Sequence, residues 1–284
     1  MRPKRSNEGF TLIELLVAIA LLGILLTLVF STMTQGVQLQ TRTETQVSLD
    51  SNLRRLSQIV TQDLRNASYG MVTSTPYATG ATSISVALAS DNAVHPVIGP
   101  ATSFQTAQNT QALLPSGAAW PANASFALVN APGSRATILK LSTGFTAGGA
   151  VTLQHAGQAN TLCPSTRNFV QRVSLVGYSY DAARKVVFRT TQDVGNAVEL
   201  PLAFNVTAFS LSYISQTGTN YSSPAALPAN EQLSRIALSV SMEGRTSQGT
   251  LQRRLDSVVQ LPALFTLSAN PIRYVSPGSA VTCP

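Results

Sequence analysis

Charge is scarce in this chain. Asp, Glu, Lys and Arg together make up 11% of its 284 residues, against about a quarter in an average soluble domain. Ser, Thr, Asn, Gln, Gly and Ala fill the polar positions instead, the composition of an exported surface. The formal net charge of +7 is a mild basic excess. Histidine and cysteine occur twice each, and Cys163 and Cys283 stand far apart, outside any C-x-x-C pair. That excludes the usual zinc patterns, so no metal and no cofactor is expected. GxSxG, Walker A, HExxH and GxGxxG are also missing, which removes the nucleophile elbow, the phosphate cradle and the dinucleotide fingerprint. A Cys and His pair is imaginable, because His155 lies eight residues before Cys163. A surface histidine and a disulfide account for the same residues, and His95, ahead of Pro96, reads as a loop residue. The chain reads as a non-enzyme.

Proline is absent from residues 10–69, so one helix can run through all of them, roughly 90 Å at 1.5 Å per residue. Its first part, LIELLVAIALLGILLTLVF over residues 12–30, is apolar except for Glu14, Gly23 and Thr27. Such a helix is about 30 Å long, one bilayer core. The preceding MRPKRSNEG is short and basic, and positive charge beside a span is held in the cytoplasm, so the remainder of the chain is exported. An ordinary secretory signal would be cut after small residues beyond the apolar run, but residues 27–34, TLVFSTMT, offer no A-x-A pattern. The apolar segment is therefore retained as an anchor. Glu14 costs about 2.5 to 3.5 kcal/mol in hydrocarbon, judged by the comparable Asp, and its natural partner is a cation at the same depth.

Gly9-Phe10-Thr11-Leu12-Ile13-Glu14 resembles the prepilin processing signature of type IV pilins and type II secretion pseudopilins. The resemblance implies a prepilin peptidase that cuts between Gly9 and Phe10 and methylates Phe10. It also implies that Glu14 attracts the N-terminal amine of a neighbouring subunit. Two groups costly alone in lipid are then satisfied only when subunits stack in register. Removal of Arg2, Lys4, Arg5 and Glu8 leaves a formal charge of +5. Gly23 falls where the family has a glycine. Ser31 stands where major pilins commonly have a proline, which favours a minor subunit.

Beyond the span, Leu49, Leu53, Leu56, Val60 and Leu64 draw one apolar stripe, so that face must dock, while Asp50 and Arg54 form an i, i+4 pair on the polar side. Gly36 is a candidate bend, and Asn66-Ala-Ser-Tyr-Gly70 supplies the helix stop. Asp63, Leu64, Arg65, Ala67, Ser68 and Tyr69 resemble the D-L-R-x-A-[GS]-Y run that ends the helix in PilW-type minor pilins and J-type pseudopilins.

After residue 70 short alternating runs separated by Gly, Pro, Asn and Ser predict antiparallel strands. They are Ile84–Leu88, Phe126–Val129, Ala136–Leu141, Val151–His155, Val170–Tyr180, Lys185–Thr190, Phe204–Ile214, Ile236–Met242 and Leu251–Leu261. Asp91–Ala124 and Gln216–Glu231 read as surface loops. The fold class is α+β: a long N-terminal transmembrane and amphipathic helix packed on an antiparallel β-sheet domain, pilin-like in arrangement. The expected divisions are a leader over 1–9, a transmembrane and assembly helix over 10–69, and an exported β-rich domain over 70–284.

In an exported domain Cys163 and Cys283 read as one disulfide or as two unpaired thiols. The resemblance implies prepilin peptidase and other minor and major pilins as partners, with the membrane as the first location and a filament as the second. Three functions fit: a minor pilin priming or joining a type IV pilus for uptake, motility or adhesion, a J-type pseudopilin, or a DNA-binding tip subunit. For the last, Arg184, Lys185, Arg253 and Arg254, with Arg172, Arg189 and Arg273, are candidate phosphate contacts, and Tyr178 and Tyr180 candidate stacking residues. Solvated strand edges favour the same basic residues.

Overall fold

The computed structural model describes residues 12–72, 77–91, 93–98, 109–130, 135–146, 148–155, 168–228, 231–261 and 273–274. Gly9, Phe10, Cys163 and Cys283 lie outside the described residues.

The long helix forms as one element, α1 (Leu12–Asn66, 55 residues), with no break at Gly36. Its threonines fit because each hydroxyl bonds back to a carbonyl of the preceding turn. Thr27 Oγ1 donates to Ile24 O at 2.7 Å and Thr41 Oγ1 to Val37 O at 2.9 Å, which leaves the backbone ladder intact. The helix ends three residues before the expected position, because Ala67–Met71 is taken into a strand. Ala67 sits opposite Leu88, and the Ala89 N–H donates to Ser68 Oγ at 3.3 Å.

Fifteen strands follow among the described residues: β1 (Ala67–Met71), β2 (Ser83–Ala89), β3 (His95–Pro96), β4 (Asn109–Leu114), β5 (Ser125–Asn130), β6 (Arg135–Lys140), β7 (Gly149–Gln154), β8 (Phe169–Asp181), β9 (Val186–Gln192), β10 (Val198–Ala203), β11 (Val206–Ser215), β12 (Asn220–Tyr221), β13 (Leu233–Thr246), β14 (Gly249–Gln260) and β15 (Arg273–Tyr274). The largest sheet runs β1-β2-β8-β5-β6-β15, with β9 and β10 extending from β8; the others are β12-β11-β13-β14 and β4-β7. Pairing is antiparallel except where β15 meets β6. All nine expected strands are present. In β13 the period of two holds as read: Ile236, Leu238, Val240 and Met242 are buried and Ala237, Ser239 and Ser241 are half-buried.

The two segments expected as loops contain strands. β3 and β4 lie within 91–124, and β12 with a short 3₁₀ turn, Pro224–Ala226, within 216–231. β4 buries Thr110, Ala112 and Leu114 on one face, a period of two muted by its small and polar members. β10 escaped notice because Pro201 lies inside it, which an edge strand tolerates. Among the described residues its only partner is β9.

Neither histidine is on the surface, contrary to expectation. His95 is 4% exposed and His155 2%, because both pack against one aromatic cluster. The His95 ring lies 5.8 Å from Trp120, Trp120 lies 6.1 Å from Phe126, and Phe126 lies 6.0 Å from His155. His155 Nε2 lies 3.2 Å from Thr110 Oγ1, and Nδ1 is buried with no hydrogen-bond partner.

The chain divides into two compact units: helix residues up to Leu49 with Gly244–Leu251, and Asp50–Glu243 with the residues from Gln252 onward. In the first unit the tip of the β13–β14 hairpin lies on the helix. Gln248 Nε2 donates to Gln38 Oε1 at 2.8 Å, and a Cβ on Gly244 would fall 2.6 Å from Thr45 Cγ2 and 3.1 Å from Leu49 Cδ1. Only glycine permits that approach, since Thr45 is stiff about χ1.

Two outcomes follow from this packing. Gly244→Val overfills the contact and lowers the unfolding free energy by about 1 to 3 kcal/mol, read by denaturant melting, and adding Thr45→Ala restores part of the loss. Burial holds the His155 pKa down from 6.5 to about 4, so between those values the unfolded chain binds the proton that the folded one refuses. Stability therefore falls as pH drops from 6.5 to 4, by about 3 kcal/mol from this group. Subtracting the pH profile of His155→Leu from that of the native chain isolates this slope.

Candidate assembly helix and its attachment to the sheet

From Leu12 to Phe30 every residue of α1 is exposed, and its most apolar 18-residue window has a mean hydropathy of 2.8 with none of it buried. Surface of that size is stable only inside a bilayer or against other apolar helices. Glu14 sits in the first turn of the described helix, where the positive end of the helix dipole favours an acid.

At its other end α1 is fastened to the largest sheet. Leu53, Leu56, Val60 and Leu64 are all buried, as their spacing indicates. Beside them Asp63 Oδ2 accepts from Tyr178 Oη, from Arg189 Nε at 3.1 Å and from Arg189 Nη2 at 2.9 Å. Arg189 Nε also lies 3.2 Å from Tyr178 Oη. β8 and β9 bring the two together, since Tyr178 and Arg189 are direct cross-strand partners. Burial first, then the hydrogen bond to Asp63 and its charge, push the Tyr178 pKa far up. Burial opposes the Arg189 charge, but its bonds to Tyr178 and Asp63 outweigh that and raise its pKa.

The rest of the D-L-R-x-A-S-Y run has comparable duties. Ala67 is buried, Ser68 accepts from β2, and Tyr69 Oη donates to Gln171 Oε1. Gln171 Nε2 donates in turn to Asp91 O at 2.7 Å, and Asp91 Oδ2 lies 3.4 Å from His95 Nε2. Burial raises the Asp91 pKa against the opposing pull of His95, Gln171 and Arg172. The motif is the splice between helix and sheet.

The candidate phosphate contacts are occupied by carboxylates. Arg172 pairs with Asp193 at 2.9 Å, Arg184 with Asp181 at 3.5 Å, Arg254 with Asp256 at 3.0 Å, and Lys185 with Glu243. Arg253 Nε lies 3.8 Å from Asp50, the residue expected to pair with Arg54. Arg253 and Arg254, adjacent on β14, point to opposite faces. Of the candidate stacking residues Tyr178 is 1% exposed, and Tyr180 Oη donates to Val206 O at 3.0 Å. The side chain of Arg273 is outside the described residues. Sequence reasoning offered Tyr178 and Arg189 as candidate nucleic-acid contacts, beside a solvated-edge reading of the basic residues, and missed Asp63 as their partner, because only the β8–β9 register sets them side by side.

Asp63→Ala strips a half-buried cation and a buried phenol of their acceptor and lowers stability by about 2 kcal/mol, measured by denaturant unfolding. The triple change Asp63→Leu, Tyr178→Phe, Arg189→Met recovers most of it, because no polar group is then left unpaired.

Comparison with known proteins bears on the N-terminus. Residues 4–30 match the family model described as the prokaryotic N-terminal methylation motif. No curated protein matches the chain significantly. A solved type IV-like pilin from Thermus thermophilus is similar at 13% identity, with 76% of this chain and 98% of that one covered and a TM-score of 0.32. A score that low carries no weight for the fold, which rests on the helix and sheets themselves. Residues 4–30 thus carry the prokaryotic N-terminal methylation motif at the head of one long apolar helix that leads into antiparallel sheets.

Proposed function

We propose that the protein is a minor pilin: inserted by its apolar helix, cut between Gly9 and Phe10, methylated on Phe10, and added to, or used to prime, a type IV pilus with other pilins. The observation that carries this reading is the methylation motif over residues 4–30 on a helix whose first nineteen described residues, 12–30, are exposed and apolar but for Glu14, Gly23 and Thr27. In this reading the amine made by cutting after Gly9 meets Glu14 of the adjoining subunit. Each group neutralises a charge that hydrocarbon otherwise penalises, which selects stacking in register over random association. The unbroken helix at Ser31, where major pilins commonly carry proline, supports a minor subunit. A J-type pseudopilin shares the same helix chemistry. Since the candidate phosphate contacts are engaged with carboxylates, the basic residues serve the fold in this reading.

The mature protein purified from membranes is expected to begin at N-methylated Phe10, as read by N-terminal mass spectrometry. Glu14→Val is expected to be processed normally yet to drop out of sheared filaments, while Glu14→Asp retains part of its incorporation. An intact initiator end, or unaltered incorporation of Glu14→Val, overturns the proposal. Loss of pili on deletion supports the pilus; loss of secretion with pili intact replaces it with the pseudopilin.

A further inference from the structure

The largest sheet has a second face, away from Asp63. Tyr178 points to the helix, so alternation along β8 turns Gly177 and Ser179 the other way. There four strands set small polar residues in one straight row: Ser85 of β2 is opposite Gly177, Gly177 opposite Thr190 of β9, and Thr190 opposite Glu199 of β10. Ser83 faces Ser179 beside them. Over this floor lies a cavity of about 340 Å3, bounded also by Tyr77, Ala78 and Ala197.

Gly177 keeps the floor open. A Cβ there would stand 3.1 Å from Ser85 Oγ and 3.7 Å from Thr190 Cβ, so any side chain would fill the gap between the two hydroxyls. The polar groups also have a definite chemistry. Ser85 Oγ spends its proton on Ala78 O at 3.1 Å, leaving lone pairs to accept. The hydroxyls of Ser83, Ser179 and Thr190 donate as well as accept, and Glu199 at the edge only accepts when ionised. No Lys, Arg or His lines the cavity, so an anion finds repulsion from Glu199 and no compensating cation. A neutral molecule with several hydroxyls matches each group, and the volume, at the small end of ligand sites, suits one or two sugar rings.

We propose that this groove is a saccharide-binding site, with Gly177 giving the ring its space and Glu199 accepting from sugar hydroxyls. The site is independent of the assembly reading, because processing and filament incorporation do not enter its chemistry.

The test is saturation-transfer NMR on the full-length protein in dodecylphosphocholine micelles, which carry no sugar. The probes are methyl α-D-glucopyranoside, methyl β-D-galactopyranoside and methyl N-acetyl-β-D-glucosaminide, with methyl phosphate and ethylammonium as controls. Transfer to at least one glycoside and to neither control is expected. Glu199→Ala, at an exposed position, is expected to weaken that glycoside about tenfold, and Gly177→Val to abolish binding. Thermal melting verifies that each variant is folded, and Glu199→Ala decides the matter if Gly177→Val is not. No transfer to any glycoside, preferential transfer to methyl phosphate or ethylammonium, or glycoside binding unchanged in folded Glu199→Ala overturns the proposal.

Discussion

A peptide backbone in hydrocarbon must satisfy its own hydrogen bonds, and an unbroken helix is how a single segment does so. In this chain that requirement extends far past the bilayer: α1 holds one hydrogen-bonding pattern from Leu12 to Asn66. Its threonines obey the same constraint by bonding back to the helix that carries them.

The hold of the largest sheet on α1 combines two unlike interactions. The buried stripe of Leu53, Leu56, Val60 and Leu64 supplies area removed from water, which is strong but tolerant of sliding. Asp63 supplies direction, since Tyr178 and Arg189 converge on one carboxylate oxygen and allow a single register. Tyr69, through Gln171 and Asp91, ties the first residues after the helix to the same sheet. Apolar burial thus keeps the helix down, and the partly buried polar bonds say where.

Much of the fold was legible. The helix, its apolar stripe and all nine expected strands rest on periodicity, which is local information. Weak or masked periodicity hid the others: β4 has Thr110 and Ala112 where a bulky residue would have announced a buried face, β10 contains Pro201, and β3, β12 and β15 are two residues each. His95 and His155 were misplaced because a histidine's burial depends on its neighbours, here an aromatic cluster assembled from β5, the residues before it, and distant segments.

The sequence alone carries the N-terminal methylation motif, residues 4–30, as a contiguous stretch, and the apolar run within it needs no partner from the same chain to declare its solvent. Only the tertiary structure decided what the dispersed basic residues do. Arg189 meets Asp63 across 126 positions of sequence, and Arg253 meets Asp50 across a still longer separation. Contacts over such distances are set by strand register, which a chain acquires only on folding.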